Sequence, residues 1–109
     1  RSKRRMMQAV PDATVVVMNP THYAVALKYE PGANPAPLCV AKGMDSLALK
    51  IREIAEAHKV PVIEDPPLAR ALFATVEVDQ IIPAQHYQAV AKVIGFVLNA
   101  ARRRARRGL

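Results

Sequence analysis

Residues 15–29, VVVMNPTHYAVALKY, decide the fold of this chain. The first four are apolar and mostly β-branched, which is typical of a central strand that is buried on both faces. In the second half, large apolar residues recur at every second position, the period of a strand with one buried face. Pro20 suits the second position of a four-residue turn. The stretch therefore predicts strands over residues 12–18 and 22–29, paired antiparallel.

Two further strands and the helix between them follow from the middle of the chain. Short apolar runs predict strands over residues 38–41 and 60–63, with residues 42–44 turning the chain after the first of them. The intervening helix, capped by Asp45 or Ser46, presents an apolar face made of Leu47, Ile51, Ile54, Ala55 and His58. Such a strand–helix–strand unit requires a parallel pair of strands with a right-handed crossover.

Two more helices complete the prediction. Asp65 followed by Pro66 is a good N-cap and first-turn pair, so a helix is expected through residue 73. The last helix is expected to begin near Pro83 and to bury the stripe Tyr87, Val90, Ala91, Ile94, Val97, Leu98 and Ala101. Residues 1–10 are compatible with a helix, but their charges are more typical of a connector. The predicted fold class is α/β, a single small domain with a mixed four-stranded sheet flanked by about four helices.

The net charge of +7 is concentrated at the two ends of the chain. Four basic residues lie within residues 1–5 and five arginines within residues 102–107, whereas residues 6–101 sum to −2. A basic terminal run favours anionic neighbours such as phospholipid headgroups or nucleic acid, although a solvated helix end explains the arginines more simply. A basic α/β nucleic-acid-binding module is therefore the alternative function. The near-neutral body and the scarcity of aromatic residues make nucleic acid an unlikely partner.

Composition and length exclude several classes of protein. A chain of 109 residues forms one domain and buries a core without disulfides. Cys39 is the only cysteine, and its apolar surroundings predict a buried thiol in a reducing compartment. No apolar run approaches the ~20 residues that span a bilayer, so we expect the chain as given to be soluble and cytosolic in type.

Conventional catalytic and metal-binding patterns are missing from the sequence. His22, His58 and His86 are scattered without metal-ligand spacing, and no glycine-rich phosphate loop or serine nucleophile motif is present. The adjacent carboxylates Glu64 and Asp65 are explained by a strand exit and a helix cap. We predict no cofactor, no metal site and no turnover enzyme.

The pair Asn19-Pro20 supports a different chemistry. Because proline has no N–H, the usual deamidation of asparagine by the following backbone nitrogen is closed. The Asn19 side-chain nitrogen is left to attack its own main-chain carbonyl, which forms a C-terminal succinimide and breaks the bond to Pro20. The imidazole of His22 is expected to move protons in this step, and Thr21 is expected to shape the turn. Taken alone, these four residues favour an ordinary turn, because Asn-Pro turns are common.

Longer segments supply a resemblance. NPTHYAVALKY, VAKGMDSLALKIREIAEAHKVPVIEDPPLARAL and IPAQHYQAVAKVIGFVL together resemble the C-terminal cytoplasmic domain of the export-switch family, which includes FlhB in flagella and YscU and SpaS in type III injectisomes. The similarity covers residues 13–100, and the Asn-Pro-Thr-His motif is intact. The segments PPLARAL and AVAKVIGFVL favour the flagellar branch. Arg70 matches a further family signature, and we interpret it as a surface or structural residue.

The resemblance implies a function. Asn19, Pro20, Thr21 and His22 would form the self-cleavage site, cut once per molecule between Asn19 and Pro20. Residues 1–12 would be a basic linker from transmembrane helices of a multi-pass inner-membrane protein, 13–101 the autocleaving domain on its cytoplasmic face, and 102–109 a basic tail. The domain would switch export from early to late substrates. Its partners would be export-gate membrane proteins, a length-control protein, secreted substrates and its own cleaved N-terminal fragment.

Overall fold

Four strands form one mixed sheet in the computed structural model of the chain, which describes residues 2–20 and 22–108. The strands are β1 (Val15–Asn19), β2 (Tyr23–Lys28), β3 (Leu38–Met44) and β4 (Val62–Glu64), in the spatial order β3-β2-β1-β4. Strand β1 pairs antiparallel with β2 and parallel with β4. The predicted fold class and the central position of the first strand are both confirmed.

Helices cover both faces of this sheet. They are α1 (Lys3–Ala9), α2 (Ser46–Ala57), α3 (Pro66–Thr75) and α4 (Tyr87–Arg107), with short 3-10 turns at Val10–Asp12 and Ala84–His86. The Asp65 carboxylate accepts a hydrogen bond from the Leu68 N–H at 3.2 Å, so the predicted cap of α3 is confirmed. Within the described residues, no helix is both long and apolar enough to cross a membrane.

The alternation of side chains along β1 divides the core into two layers. Val15 and Val17 face α3 and α4, whereas Val16 and Met18 face α1 and α2. All four side chains are completely buried. Strand β1 is therefore paired on both edges and covered on both faces.

Two predictions about the sheet were wrong. Strand β3 continues through residues 42–44 instead of turning there, because its pairing with β2 extends to Tyr23 opposite Met44. Strands β3 and β4 lie at opposite edges of the sheet and are not a hydrogen-bonded pair. The parallel partner of β4 is β1, since the connection through α2 carries the chain across the whole sheet.

The buried stripe predicted for the last helix was wrong in part. Val90, Ile94 and Val97 are buried, but the other four members are exposed, namely Tyr87, Ala91, Leu98 and Ala101. A helix buries only the part of its surface that other elements cover. Here an apolar groove stays open between α4 and the loop at Pro35–Pro37, and Tyr87, Ala91 and Leu98 line it.

Both ends of the chain are more ordered than the sequence indicated. Helix α1 places the Met6 side chain in the α2-side layer, together with Val10 from the following turn, so part of the predicted linker packs on the domain. At the other end α4 continues through the arginines to Arg107. The proposed domain boundaries at residues 12/13 and 101/102 stay predictions.

Candidate self-cleavage site

A backbone hydrogen bond joins the first and last residues of the motif, Asn19 and His22, at the end of the central strand. The His22 N–H donates a hydrogen bond to the Asn19 carbonyl oxygen at 3.0 Å. Asn19 is also the last residue of β1 and is paired with Tyr23 at the start of β2. Pro20 therefore lies between two paired strands, next to a residue whose carbonyl is held by a backbone hydrogen bond.

Two helix N-termini meet this turn from either side. The N–H of Asp45, the residue before α2, donates to the His22 carbonyl oxygen at 2.9 Å. The N–H of Asp65, the residue before α3, donates to the Met18 carbonyl oxygen at 2.9 Å. Backbone hydrogen bonds therefore fix the residues on both sides of the Asn19–Pro20 bond. The positive ends of both helix dipoles therefore lie at the same end of the sheet as the turn.

The three described side chains of the motif differ in their surroundings. Asn19 and Pro20 are half-buried, and His22 is exposed. The ring of His22 lies 6.5 Å from the ring of Tyr23, centroid to centroid. The Asn19 side chain makes no hydrogen bond to any residue of the described part of the chain. Thr21, the fourth predicted site residue, lies outside the described residues.

Sequence reasoning missed Asp45 as a residue next to the motif. It treated Asp45 only as a helix cap. Asp45 instead contacts the motif through its backbone, and its side chain makes no capping hydrogen bond. No pattern in a single sequence predicts this contact, because His22 and Asp45 are 23 positions apart and meet only when β2 pairs with β3.

The remaining histidines and the cysteine lie away from the turn. His58 is exposed at the end of α2, whereas His86 is buried and lies 2.8 Å from the Thr75 hydroxyl. Cys39 is fully buried, and this burial raises the pKa of its thiol to about 12. In residues 2–20 and 22–108, no group of three or more His, Cys, Asp or Glu side chains is placed to hold a metal ion.

Comparison with solved structures places the fold in a known class, that of cytoplasmic domains of FlhB and C-terminal domains of EscU. The cytoplasmic domain of FlhB from Shewanella putrefaciens superposes with a TM-score of 0.89 at 44% identity, covering 98% of this chain and 81% of that one. A mutated EscU C-terminal domain superposes with a TM-score of 0.81 at 38% identity, covering 84% of this chain and 98% of that one.

Sequence comparison gives the same answer. The family model described as the FlhB HrpN YscU SpaS Family matches residues 1–97, and the chain belongs to this family. It is 54% identical over 96 residues to the flagellar biosynthetic protein FlhB of Salmonella typhimurium and 53% identical over 94 residues to that of Bacillus subtilis. These alignments cover 88% and 86% of the chain but only 25% and 26% of the relatives, so the chain spans about a quarter of their length.

Proposed function

We propose that this chain is the self-cleaving cytoplasmic domain of a flagellar export-apparatus protein, cut between Asn19 and Pro20. The observation that carries the proposal is the hydrogen bond from the His22 N–H to the Asn19 carbonyl oxygen. That oxygen belongs to the carbonyl that the asparagine side chain would attack. A fixed donor on it stabilises the negative charge that develops as the carbonyl carbon becomes tetrahedral.

The reaction is an exchange of one amide bond for another. The side-chain nitrogen of Asn19 forms a bond to its own main-chain carbonyl carbon, and the bond from that carbon to the Pro20 nitrogen breaks. The attacking nitrogen loses a proton and the departing proline nitrogen gains one, so no external reactant is consumed. The products are residues 1–19 ending in a five-membered succinimide and residues 20–109 beginning with a prolyl amine.

Two features of the turn favour this path over deamidation. Pro20 has no N–H with which to attack the side chain, and it disfavours helical backbone geometry at Asn19. The surrounding hydrogen bonds hold the residues around the scissile bond, which supports an approach of about 3–3.5 Å between the reacting atoms. We assign proton transfer to the proline nitrogen to the exposed imidazole of His22 and turn shaping to Thr21.

Cleavage on this view changes a surface and leaves the domain intact. Strand β1 keeps its hydrogen bonds to β2 and β4 and its buried side chains, so both pieces stay together. The turn is released, and once water opens the succinimide, a carboxylate and a prolyl amine replace a neutral peptide bond. Such a local change can alter a docking surface without unfolding the domain. Cleavage is a single maturation event and not turnover catalysis.

The wider role of the domain is inferred from the family to which the chain belongs. The curated relatives cited above are flagellar biosynthetic proteins, which supports export of flagellar components over an injectisome role. We place the domain at the cytoplasmic face of the inner membrane, tethered by N-terminal transmembrane helices of a longer protein. There it would switch export from early to late substrates, with export-gate membrane proteins, a length-control protein and the substrates themselves as partners.

Denaturing mass spectrometry tests the cleavage directly. The parent chain is expected to yield residues 1–19 and 20–109, with the smaller piece initially one water molecule lighter than its free acid. Asn19→Asp keeps the size and shape of the side chain but lacks the amide nitrogen, so it is expected to stay whole. Folded parent protein that remains a single chain after prolonged incubation at neutral pH would refute the proposal.

The nucleic-acid alternative depends on a separate feature. Its support is the exposed arginine run at the end of α4, in a helix that carries no acidic residue. It requires an affinity for RNA or DNA that falls steeply as salt is added. Neither the hydrogen bond between His22 and Asn19 nor the family match contributes to it.

A further inference from the structure

Asp45 alone connects β3, which ends at Met44, to α2, which begins at Ser46. Its backbone has φ 53° and ψ −119°, a combination common for glycine and rare for residues with a Cβ. It occupies the N-cap position, where aspartate usually accepts a hydrogen bond from the first turn, but its side chain accepts none. The capping preference of aspartate therefore does not explain this strained residue.

The peptide groups on either side of Asp45 connect the motif to helix α2 through hydrogen bonds. Its N–H donates to the His22 carbonyl oxygen at 2.9 Å, and its own carbonyl accepts from the Leu49 N–H at 3.1 Å in the first turn of α2. The next turns of α2 are anchored by Ala48 and Ile51, which are completely buried. One residue thus transmits the position of α2 to the last residue of the motif.

Close packing next to Asp45 keeps the connection from relaxing. Leu47 lies directly over the backbone of Gly43, since a Cβ added at residue 43 would be only 2.7 Å from Leu47 Cγ. The strand on one side and the helix on the other are therefore pressed together across Asp45. Backbone strain of this kind persists where the surrounding structure over-determines a residue, and it clusters at functional sites.

A chain of two hydrogen bonds links this strained residue to the scissile carbonyl. The Asp45 N–H holds the carbonyl of His22, and the N–H of His22 holds the carbonyl of Asn19. We propose that Asp45 is a positioning residue for cleavage, acting through its strained backbone and not through its carboxylate. This inference rests on the proposed self-cleavage of the turn, and it names what keeps the turn in its reactive geometry.

A substitution series at residue 45 separates backbone from carboxylate. Glycine and asparagine tolerate a positive φ but carry no carboxylate, so Asp45→Gly and Asp45→Asn are expected to cleave at close to the parent rate. Valine keeps the N–H but strongly resists a positive φ because its Cβ is branched. Asp45→Val is therefore expected to withdraw the N–H from His22 and to slow cleavage by about tenfold or more.

The rate is followed from a short pulse of cell-free synthesis, with the two pieces separated under denaturing conditions. Lys59→Val is the matched control, because Lys59 also has a positive φ, of 61°, but lies after the other end of α2. It is expected to lower stability without slowing cleavage of the folded protein. In the uncleavable Asn19→Ala background, Asp45→Val should reduce hydrogen-exchange protection of the residue 45 amide while the Val17 amide stays protected.

The outcomes are distinct. Asp45→Val cleaving as fast as the parent, or Asp45→Gly and Asp45→Asn slowing as much as Asp45→Val, would overturn the positioning role. Equal slowing by Lys59→Val would also overturn it, because general destabilisation would then explain the effect. A parent chain that never cleaves would instead remove the proposed function itself, which keeps the two failures apart.

Discussion

The His22 N–H lies 3.0 Å from the Asn19 carbonyl oxygen, so the last residue of the motif binds the carbonyl of the first. This bond comes from the backbone of His22, whereas the imidazole of the same residue is exposed to solvent. The two groups have separate tasks in the proposed reaction. The N–H stabilises charge on the carbonyl oxygen, and the ring supplies a proton to the leaving proline nitrogen.

A substitution that removes only the ring tests this division. His22→Gln keeps the backbone N–H and loses the imidazole, so cleavage is expected to slow by about 100-fold, the lower end of the range for general acid–base catalysis. The rate is measured by denaturing gel electrophoresis after pulse synthesis. His58→Gln, at the exposed histidine after α2, is the matched control and should cleave at the parent rate. An unchanged rate in His22→Gln would leave the ring without a role.

Cleavage should turn a one-chain domain into a two-chain complex. Because residues 15–18 are fully buried between β2 and β4, the pieces are expected to co-elute in native size-exclusion chromatography and to separate in denaturant. Each tenfold dilution should lower the apparent free energy of unfolding by about 1.4 kcal/mol. The single-chain Asn19→Ala variant should show no such dependence. Melting of the cleaved form that ignores concentration would contradict the retained-strand picture.

Gly43 should tolerate no side chain while Leu47 is present. In Gly43→Ala the new methyl group meets Leu47 Cγ at 2.7 Å, and overpacking of this kind costs about 1–3 kcal/mol. The loss is measured by urea unfolding. In the Leu47→Ala background, where the neighbouring side chain is shorter, Gly43→Ala should cost less stability than it does in the parent protein. Additive losses in the double-mutant cycle would show that the two positions do not interact.

The buried thiol of Cys39 predicts a pH dependence of stability. Burial raises the thiol pKa in the folded domain from 9.0 to about 12. Above about pH 9 the unfolded chain therefore releases a proton that the folded domain keeps, and the free energy of unfolding falls as the pH rises toward 12. Urea unfolding at several pH values measures the slope. Cys39→Ala should lose this part of the slope, and an identical slope in both proteins would contradict the prediction.

Local patterns were sufficient for the hairpin and for one helix start. The apolar run at residues 15–18, Pro20 in the turn and the Asp65-Pro66 pair each act through neighbours a few residues away. Their effects on backbone geometry are therefore readable from the chain alone. The structure confirms the antiparallel pairing of β1 with β2 and the cap of α3.

Contacts between residues distant in sequence explain the predictions that were wrong. Gly43 indicates a turn by its type, but pairing with Ala24 and the close approach of Leu47 make it part of β3. The α4 stripe has a regular helical period, yet Leu98 stays exposed on the open groove beside Pro35–Pro37. Period tells which residues share a face, and only the packed structure tells whether that face is covered.

The sequence by itself determined the pair Asn19-Pro20 on which the proposed cleavage depends, because that chemistry requires only two adjacent residues. It also determined the central strand that carries this pair. Only the tertiary structure decided what holds the pair in place. The Asn19 carbonyl is bound by His22, His22 by Asp45, and Asp45 is held by the packing of α2 against the sheet. Hydrogen bonds between residues distant in sequence form only after the strands have found their partners, so no local pattern encodes them.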